Sequence, residues 1–330
     1  MHLTQLRRWP ATFVLLGAFA TTAFGTDFAG KTITYVIASK PGGGYDSYGR
    51  LIAKYMEKHL PGSTIVVKNV PGAGQLAGAQ YIYASQPNGL TIGIFNTSLI
   101  YGQIAGLYGD KLDFGKLSWI GKVESESRVV MVRKDSPLKS IDDLHGTVEP
   151  LKIAVTGKTG ATHFESALLA KILGWNLKPI FGFQGTETDL AVLRGDVDFL
   201  VESRSAAQHY VVAGDARFLL EYGGEAKGDV PTLDRKKLAP SDQSAFALVD
   251  NQLRYSRATA GPPGMDPEVL ATLRQAYDAA LADPQLLAEA IQANLPIDPA
   301  GGEEVQKGIS SVLVQAPELV ELVKTILKPE

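Results

Sequence analysis

Hydrophobic runs of period two and runs of period near 3.6 take turns along this chain from about residue 32 onward. Residues 32–38 read as a strand, and the helix expected over 47–59 carries Tyr48, Leu51, Ile52, Tyr55 and Met56 as one apolar stripe. Further strands are expected at 64–69, 90–95, 128–133, 152–155, 198–202 and 218–222, with helices at 76–85 and from 163 to about 173. The C-terminal part reads as helical in pieces, over 267–282, 284–293 and 302–328, opened by Pro267, Pro284 and Gly302.

Such alternation predicts an α/β fold with mostly parallel sheets flanked by helices. The length of 330 residues predicts two of them. The pattern restarts near 124–127, and 222–250 reads as loop-rich and polar. One lobe is therefore expected from residues 26–125 plus 250–330, and the second from 126–249. If the late helices return to the first sheet, the chain crosses between lobes twice, leaving a hinge and a ligand cleft.

Composition narrows the chemistry. The net charge of -3 supplies no basic field for nucleic acid. The absence of cysteine removes disulfides, thiolate nucleophiles and cysteine-bound metals. His59, His145, His163 and His209 are scattered, and no metal or cofactor is expected. Gly157-Lys158-Thr159 lacks the earlier glycine of a phosphate loop, because residue 152 is lysine. Gly42-Gly43-Gly44 lacks the third glycine of a dinucleotide turn, because residue 47 is serine. At the N-terminus, Arg7-Arg8, an apolar stretch over 11–23 and Ala23-Phe24-Gly25 have the layout of a secretory signal peptide. Cleavage is expected before Thr26, which would place the mature chain in the periplasm.

The candidate site is the strand–turn–helix around Lys40-Pro41-Gly42-Gly43-Gly44-Tyr45-Asp46. Free amides and the positive end of a helix there suit a carboxylate or phosphate, and glycine lets a ligand approach the main chain. Asp46 reads as a helix cap before a ligand contact. Tyr45 either stacks on the ligand or covers the turn. Glu202 follows a buried-type strand, as a solvated edge residue or as a selector.

These turns, in order, resemble one family. Lys40 to Asp46 followed by Arg50, Asn69-Val70-Pro71-Gly72-Ala73-Gly74 with Gly78, and Pro87-Asn88-Gly89-Leu90-Thr91 are similar to its first signatures. Gly185, Gly195-Asp196-Val197-Asp198, Val230-Pro231-Thr232-Leu233 and Gly261-Pro262-Pro263-Gly264 are similar to its later ones. The family is the solute-binding proteins of tripartite tricarboxylate transporters, the Bordetella uptake gene family. The resemblance implies a two-lobed, monomeric periplasmic protein, not an enzyme, that delivers a small organic carboxylate to membrane transporter components. It implies that Gly43, Gly44, Tyr45 and Asp46 hold one carboxylate together with Thr159, Gly160, Ala161, Thr162 and His163, without an arginine clamp. Asn96, Thr97, Ser98, Gly185, Thr186 and Glu187 would line the rest. The chain departs from the family at Phe183-Gln184, where a tyrosine–lysine pair is usual, and at Gln75, where glycine is usual. Glu187 and Glu202, facing the cleft, would disfavour a second carboxylate and favour an amine or hydroxyls. Two rival readings are a secreted enzyme using His163 and Glu202 as acid and base, and a sensory module for a receptor kinase.

Overall fold

The computed structural model describes residues 27–158, 160–183, 185–224 and 228–327. The segment expected to be a signal peptide, Thr159 and Gln184 lie outside the described residues. The first stretch contains β1 (Thr32–Ile37), α1 (Gly44–Lys58), β2 (Thr64–Asn69), α2 (Leu76–Tyr83), β3 (Thr91–Ile94), α3 (Ile100–Ile104) and β4 (Ser118–Lys122). The middle contains β5 (Arg128–Arg133), β6 (Leu151–Val155), α4 (Ala161–Leu173), β7 (Leu177–Phe181), α5 (Glu187–Arg194), β8 (Leu200–Ser203), α6 (Arg204–Ala213) and β9 (Ala216–Tyr222). The last stretch contains α7 (Pro240–Arg254), β10 (Ala258–Gly261), α8 (Pro267–Leu281), α9 (Pro284–Gln292), β11 (Ala300–Gly301), α10 (Gly302–Leu313) and α11 (Pro317–Leu327).

The first lobe is built on a six-stranded sheet in the order β11-β4-β10-β3-β1-β2, so both ends of the described chain feed one sheet. The second has a three-stranded sheet, β8-β5-β9, and a parallel pair, β6-β7, tied to it by a bridge from Ile153 to Phe199. The α/β class holds, but the sheets are mixed rather than mostly parallel. β1 pairs with β2 and β3 in parallel, whereas β10, β4 and β11 pair antiparallel, as do β5, β8 and β9. The reason is topological. β10 re-enters the first sheet from the other lobe without a crossover helix from β3, and β5 is flanked by strands that return to it.

The helices start where the sequence caps them. Asp266 accepts from the amides of Glu268 and Val269 at α8, and Asp283 from Gln285 at α9, each followed by proline in the first turn. The predicted helix over 302–328 breaks into α10 and α11 at 314–316, just before Pro317. The region read as loop-rich contains α7, which Pro240 opens and which buries Phe246, Leu248, Val249 and Leu253. That helix packs against α10 of the first lobe and α4 of the second, behind the crossings.

The two crossing segments run side by side. The Val123 amide donates to the Arg257 carbonyl at 3.3 Å, and the Glu126 amide donates to the Leu253 carbonyl at 3.1 Å. Strand-like alternation from 124 to 128 then puts Glu124, Glu126 and Arg128 on one side of the first segment, towards Arg257 of the other.

Candidate functional site

The first wall of the site is the turn between β1 and α1. Gly42 and Gly43 have φ of 83° and 79°, a left-handed conformation that a side chain would strain. No side chain caps α1 at Gly43, so its first-turn amides are left for other acceptors. Asp46 stabilises this turn from behind. Its carboxylate accepts from the Gly42 amide at 3.0 Å, from Arg50 Nε at 2.9 Å and from Asn69 Nδ2 at 2.9 Å. Burial opposes its charge, but these three donors outweigh it and hold the carboxyl below the usual range.

The facing wall comes from α4 and α5. Gly160 precedes α4, again with no side-chain cap, and Thr162 Oγ1 accepts from the Thr156 amide at 3.2 Å. Gly185 (φ 58°) precedes α5, and Thr188 Oγ1 donates to the Gly185 carbonyl at 2.8 Å. The walls touch at their lips. A Cβ on Gly74 would lie 3.3 Å from Gly160 Cα, and one on Gly43 would lie 3.9 Å from Gly185 Cα. Lys40 Nζ donates to Glu187 Oε1 across the lips at 2.8 Å. Beneath them lies a cavity of ≈ 80 Å³, lined among others by Gly43, Gly44, Tyr45, Asn96, Ala161, Thr162 and Gly185. That space holds on the order of six waters, or a small organic molecule of similar bulk.

The floor is charged. Arg257, held at φ 49°, pairs through Nε with Glu124 at 2.6 Å and through Nη2 with Glu126 at 2.8 Å. Its guanidinium lies 4.7 Å from the ring centres of both Tyr45 and Tyr48. Arg128 pairs with Glu126 at 2.8 Å and Glu165 at 3.0 Å. Burial raises the Glu124 and Glu165 carboxyls, and the arginines beside them oppose that shift. Arg128 and Arg257 both line the cavity, and among the described residues Arg128 Nη2 and Arg257 Nη1 have no hydrogen-bond partner. A Cβ on Gly44 would fall 2.6 Å from Arg257 Nη1, so glycine there lets the cation reach the start of α1.

Asp189 and Glu202 complete the second wall, and both line the cavity. Asp189 is 5% exposed and, among the described residues, its Oδ1 has no hydrogen-bond partner. Burial and then the neighbouring Glu202 charge push its carboxyl up to about 8, against a hydrogen bond with Tyr210. Burial also raises Glu202, opposed by Arg128 at 4.0 Å and by the Ser203 amide, which donates to Oε1 at 2.6 Å.

The structure brings half of the sixteen residues singled out from sequence to the cavity. Gly43, Gly44, Tyr45, Asn96, Ala161, Thr162, Gly185 and Glu202 line the cavity. Asp46 does not; it locks the turn. Tyr45 covers the turn with its ring on Arg257. Thr97 and Ser98 are fully buried behind Asn96, with Thr97 Oγ1 accepting from Gln252 Nε2 at 2.7 Å. Gly160 and Thr186 form the lips, Glu187 is engaged with Lys40 at the rim, and Phe183 lies with Phe181 and Leu190 in an open outer groove. His163 is outside the lining. Its Nδ1 donates to the Lys158 carbonyl at 2.7 Å and its ring packs on Phe181 at 5.2 Å, whereas Glu202 lines the cavity. Sequence reasoning missed Arg128, Asp189 and Arg257. The readable signal was the alternation of Glu124, Glu126 and Arg128 in a crossing segment, a charge pattern that extended chain places on one face. Gln75 explains one family departure. It adopts φ 78°, where glycine is unstrained, and its Oε1 accepts from the Asn96 amide at 3.0 Å.

The fold and this interlobe cavity define a two-lobed binding protein. Residues 49–308 match the model of the tripartite tricarboxylate transporter family receptors, and the chain belongs to that family. A protein from Pseudomonas sp. (strain P51), encoded in the tcbD-tcbE intergenic region, is 27% identical over 289 residues, covering 83% of this chain and 80% of its own. A Cupriavidus necator protein from the gbd 5' region is 25% identical, covering 82% and 80%. Among solved structures, the periplasmic binding protein BugD superposes with a TM-score of 0.73 at 22% identity, covering 89% of this chain and 97% of its own. MatC from Rhodopseudomonas palustris, with bound malate, gives 0.69 at 20% identity over 90% and 99%. An R. palustris protein with adipate gives 0.69 at 18% identity over 90% and 97%. Binding proteins of this family are periplasmic.

Proposed function

We propose that this protein captures a small organic carboxylate between its lobes and delivers it to the membrane components of a tripartite tricarboxylate-type transporter. One observation carries the reading: two helix N-termini without side-chain caps, those of α1 and α4, face a single buried cavity from opposite lobes. Each contributes orphan amides and a positive end, worth about 0.3–1 kcal/mol towards an anion when exposed and up to ~2 when partly buried. Hydrogen bonds to a charged acceptor add ~1.5–3 kcal/mol each. Together these reach about -8 kcal/mol, a micromolar affinity, after the cost of closing.

In this reading residues 26–125 plus 250–330 form one lobe and 126–249 the other. The paired crossings at 123–126 and 253–257 serve as the hinge. The mature protein begins at Thr26 and works in the periplasm as a monomer. The ligands of MatC and the adipate-bound protein support the carboxylate class. A thermal-shift panel of mono-, di-, tri- and amino-substituted carboxylates tests it. A ligand at 100 times its Kd should stabilise the fold by about 2.7 kcal/mol. A flat response across the panel overturns the reading.

A further inference from the structure

We infer that the ligand is a zwitterion, a small acid bearing a single carboxylate and a protonated amine. This rests on the solute-binding reading above and narrows it. The cavity has a donor end and an acceptor end. At the donor end, the first-turn amides at Gly43 to Tyr45 meet Arg257, whose Nη1 has no hydrogen-bond partner among the described residues and reaches the start of α1. A carboxylate fits there, between neutral amides and a cation already fixed by Glu124 and Glu126.

At the acceptor end, Asp189 and Glu202 converge from α5 and β8 on the same cavity. Asp189 is only 5% exposed; its carboxyl has a hydrogen bond with Tyr210, and among the described residues its Oδ1 has no partner. A buried acceptor left unmade is costly, and a ligand donor that reaches it is favoured in proportion. An ammonium carries three donors and a positive charge, and so can satisfy both carboxyls at once.

Charge balance points the same way. The cavity is lined by Arg128 and Arg257 against Asp189 and Glu202, while Glu124, Glu126 and Glu165 stand behind the arginines. Five carboxyls therefore surround two guanidinium groups; burial raises Asp189, Glu202, Glu124 and Glu165 towards their neutral forms, and an ammonium at the acid wall favours the charged form of the acids beside it. A dicarboxylate adds two further negative charges to a low-dielectric space, whereas a zwitterion adds none. The opposing use of the acid wall, as protonated carboxyls donating to a second carboxylate, is the arrangement in which succinate outbinds L-aspartate in the pairs below.

Titration calorimetry on matched pairs tests this: β-alanine against propionate, 4-aminobutyrate against butyrate, L-alanine against propionate, L-aspartate against succinate. In at least one of the first three pairs, the amine-bearing acid should bind tenfold more tightly or better, which is 1.4 kcal/mol. Asp189→Asn and Glu202→Gln should each shrink that ratio below threefold. The proposal is overturned if no amine-bearing acid outbinds its partner, or if the ratio survives in both variants. The wild-type pairs decide the first point without any variant having to fold. Binding of succinate, malate or adipate alone overturns this proposal and leaves the solute-binding reading standing. Silence from every acid overturns both.

Discussion

Asp46 and Asp189 are nearly equally buried, at 6% and 5% exposure, yet their carboxyls are pushed in opposite directions. Asp46 sits among donors from Gly42, Arg50 and Asn69, which hold it below the usual range against the effect of burial. Asp189 faces Glu202, keeps one oxygen without a partner, and is pushed up to about 8. Burial alone does not set the charge of an acid; the surrounding donors do. The first-lobe wall is therefore complete in itself, its acid consumed in shaping the turn that offers amides. The second-lobe wall is incomplete: among the described residues Asp189 Oδ1 has no partner, and burial favours the neutral form of its carboxyl. Arg257 lies between the two, reaching Gly44 on one side and Ser203, beside Glu202, at 3.0 Å on the other.

Removing that connection should have the largest effect. Arg257→Met leaves Glu124 and Glu126 buried without one cation, which costs about 3–5 kcal/mol of folding stability. Urea unfolding measures it. A loss below ~1 kcal/mol would mean that the floor carries no net charge at neutral pH and that the contrast between the walls is not electrostatic.

Gly44→Ala comes next and tests the first wall alone. In an ordinary exposed helix this change is stabilising, because alanine has the better propensity by about 0.8–1 kcal/mol. Here the new Cβ meets the Arg257 guanidinium at 2.6 Å. Overpacking predicts a loss of ~1–3 kcal/mol and at least a tenfold loss of carboxylate affinity. A more stable variant with unchanged affinity would show that Arg257 does not need its place at the start of α1.

The paired acids then give a difference in sign. Asp46 has a lowered folded pKa, so its contribution is present above the unfolded value of about 4 and is lost as pH falls through the folded one. Asp46→Asn should cost about 1–2 kcal/mol at pH 7, and the cost should shrink as pH falls below about 4. Asp189 has a raised folded pKa, so its contribution is complete below about 4 and is lost as pH rises through about 8. Asp189→Asn should therefore gain stability over wild type as pH climbs from 4 to 9. Melting curves at several pH values measure both slopes, and slopes of the same sign would erase the comparison.

Much of this was legible in the sequence where a local rule decides the structure. The glycines before Asp46 and the aspartate–proline starts of α8 and α9 each specify a turn or helix end within a few residues. What was not legible depends on distant partners or on helical phase. Arg257 looks like a surface residue until Glu124 and Glu126 of the other crossing are set beside it. Glu187 and Asp189 are two residues apart near the start of α5, about 200° around the helix, so only one of them can face the cavity. The exact start of α5 selects Asp189 and turns Glu187 to the rim, and no composition or periodicity over this stretch fixes that start to one residue.

Glu187 then provides the smallest test. Its pair with Lys40 spans the lips at 2.8 Å, with the two side chains 45% and 46% exposed. An ion pair so open to water contributes below ~1 kcal/mol and is screened by salt. Glu187→Gln should leave the melting temperature nearly unchanged and raise the ligand dissociation rate only about two- to fivefold, because the pair acts on the closed form alone. Stopped-flow dissociation at low salt and at 1 M salt reads this, and the difference between variant and wild type should vanish at high salt, where the screening length is about 3 Å. If the substitution instead abolishes binding at both salts, Glu187 belongs with Asp189 and Glu202 among the groups that meet the ligand, and the acid wall extends to the rim of the cleft.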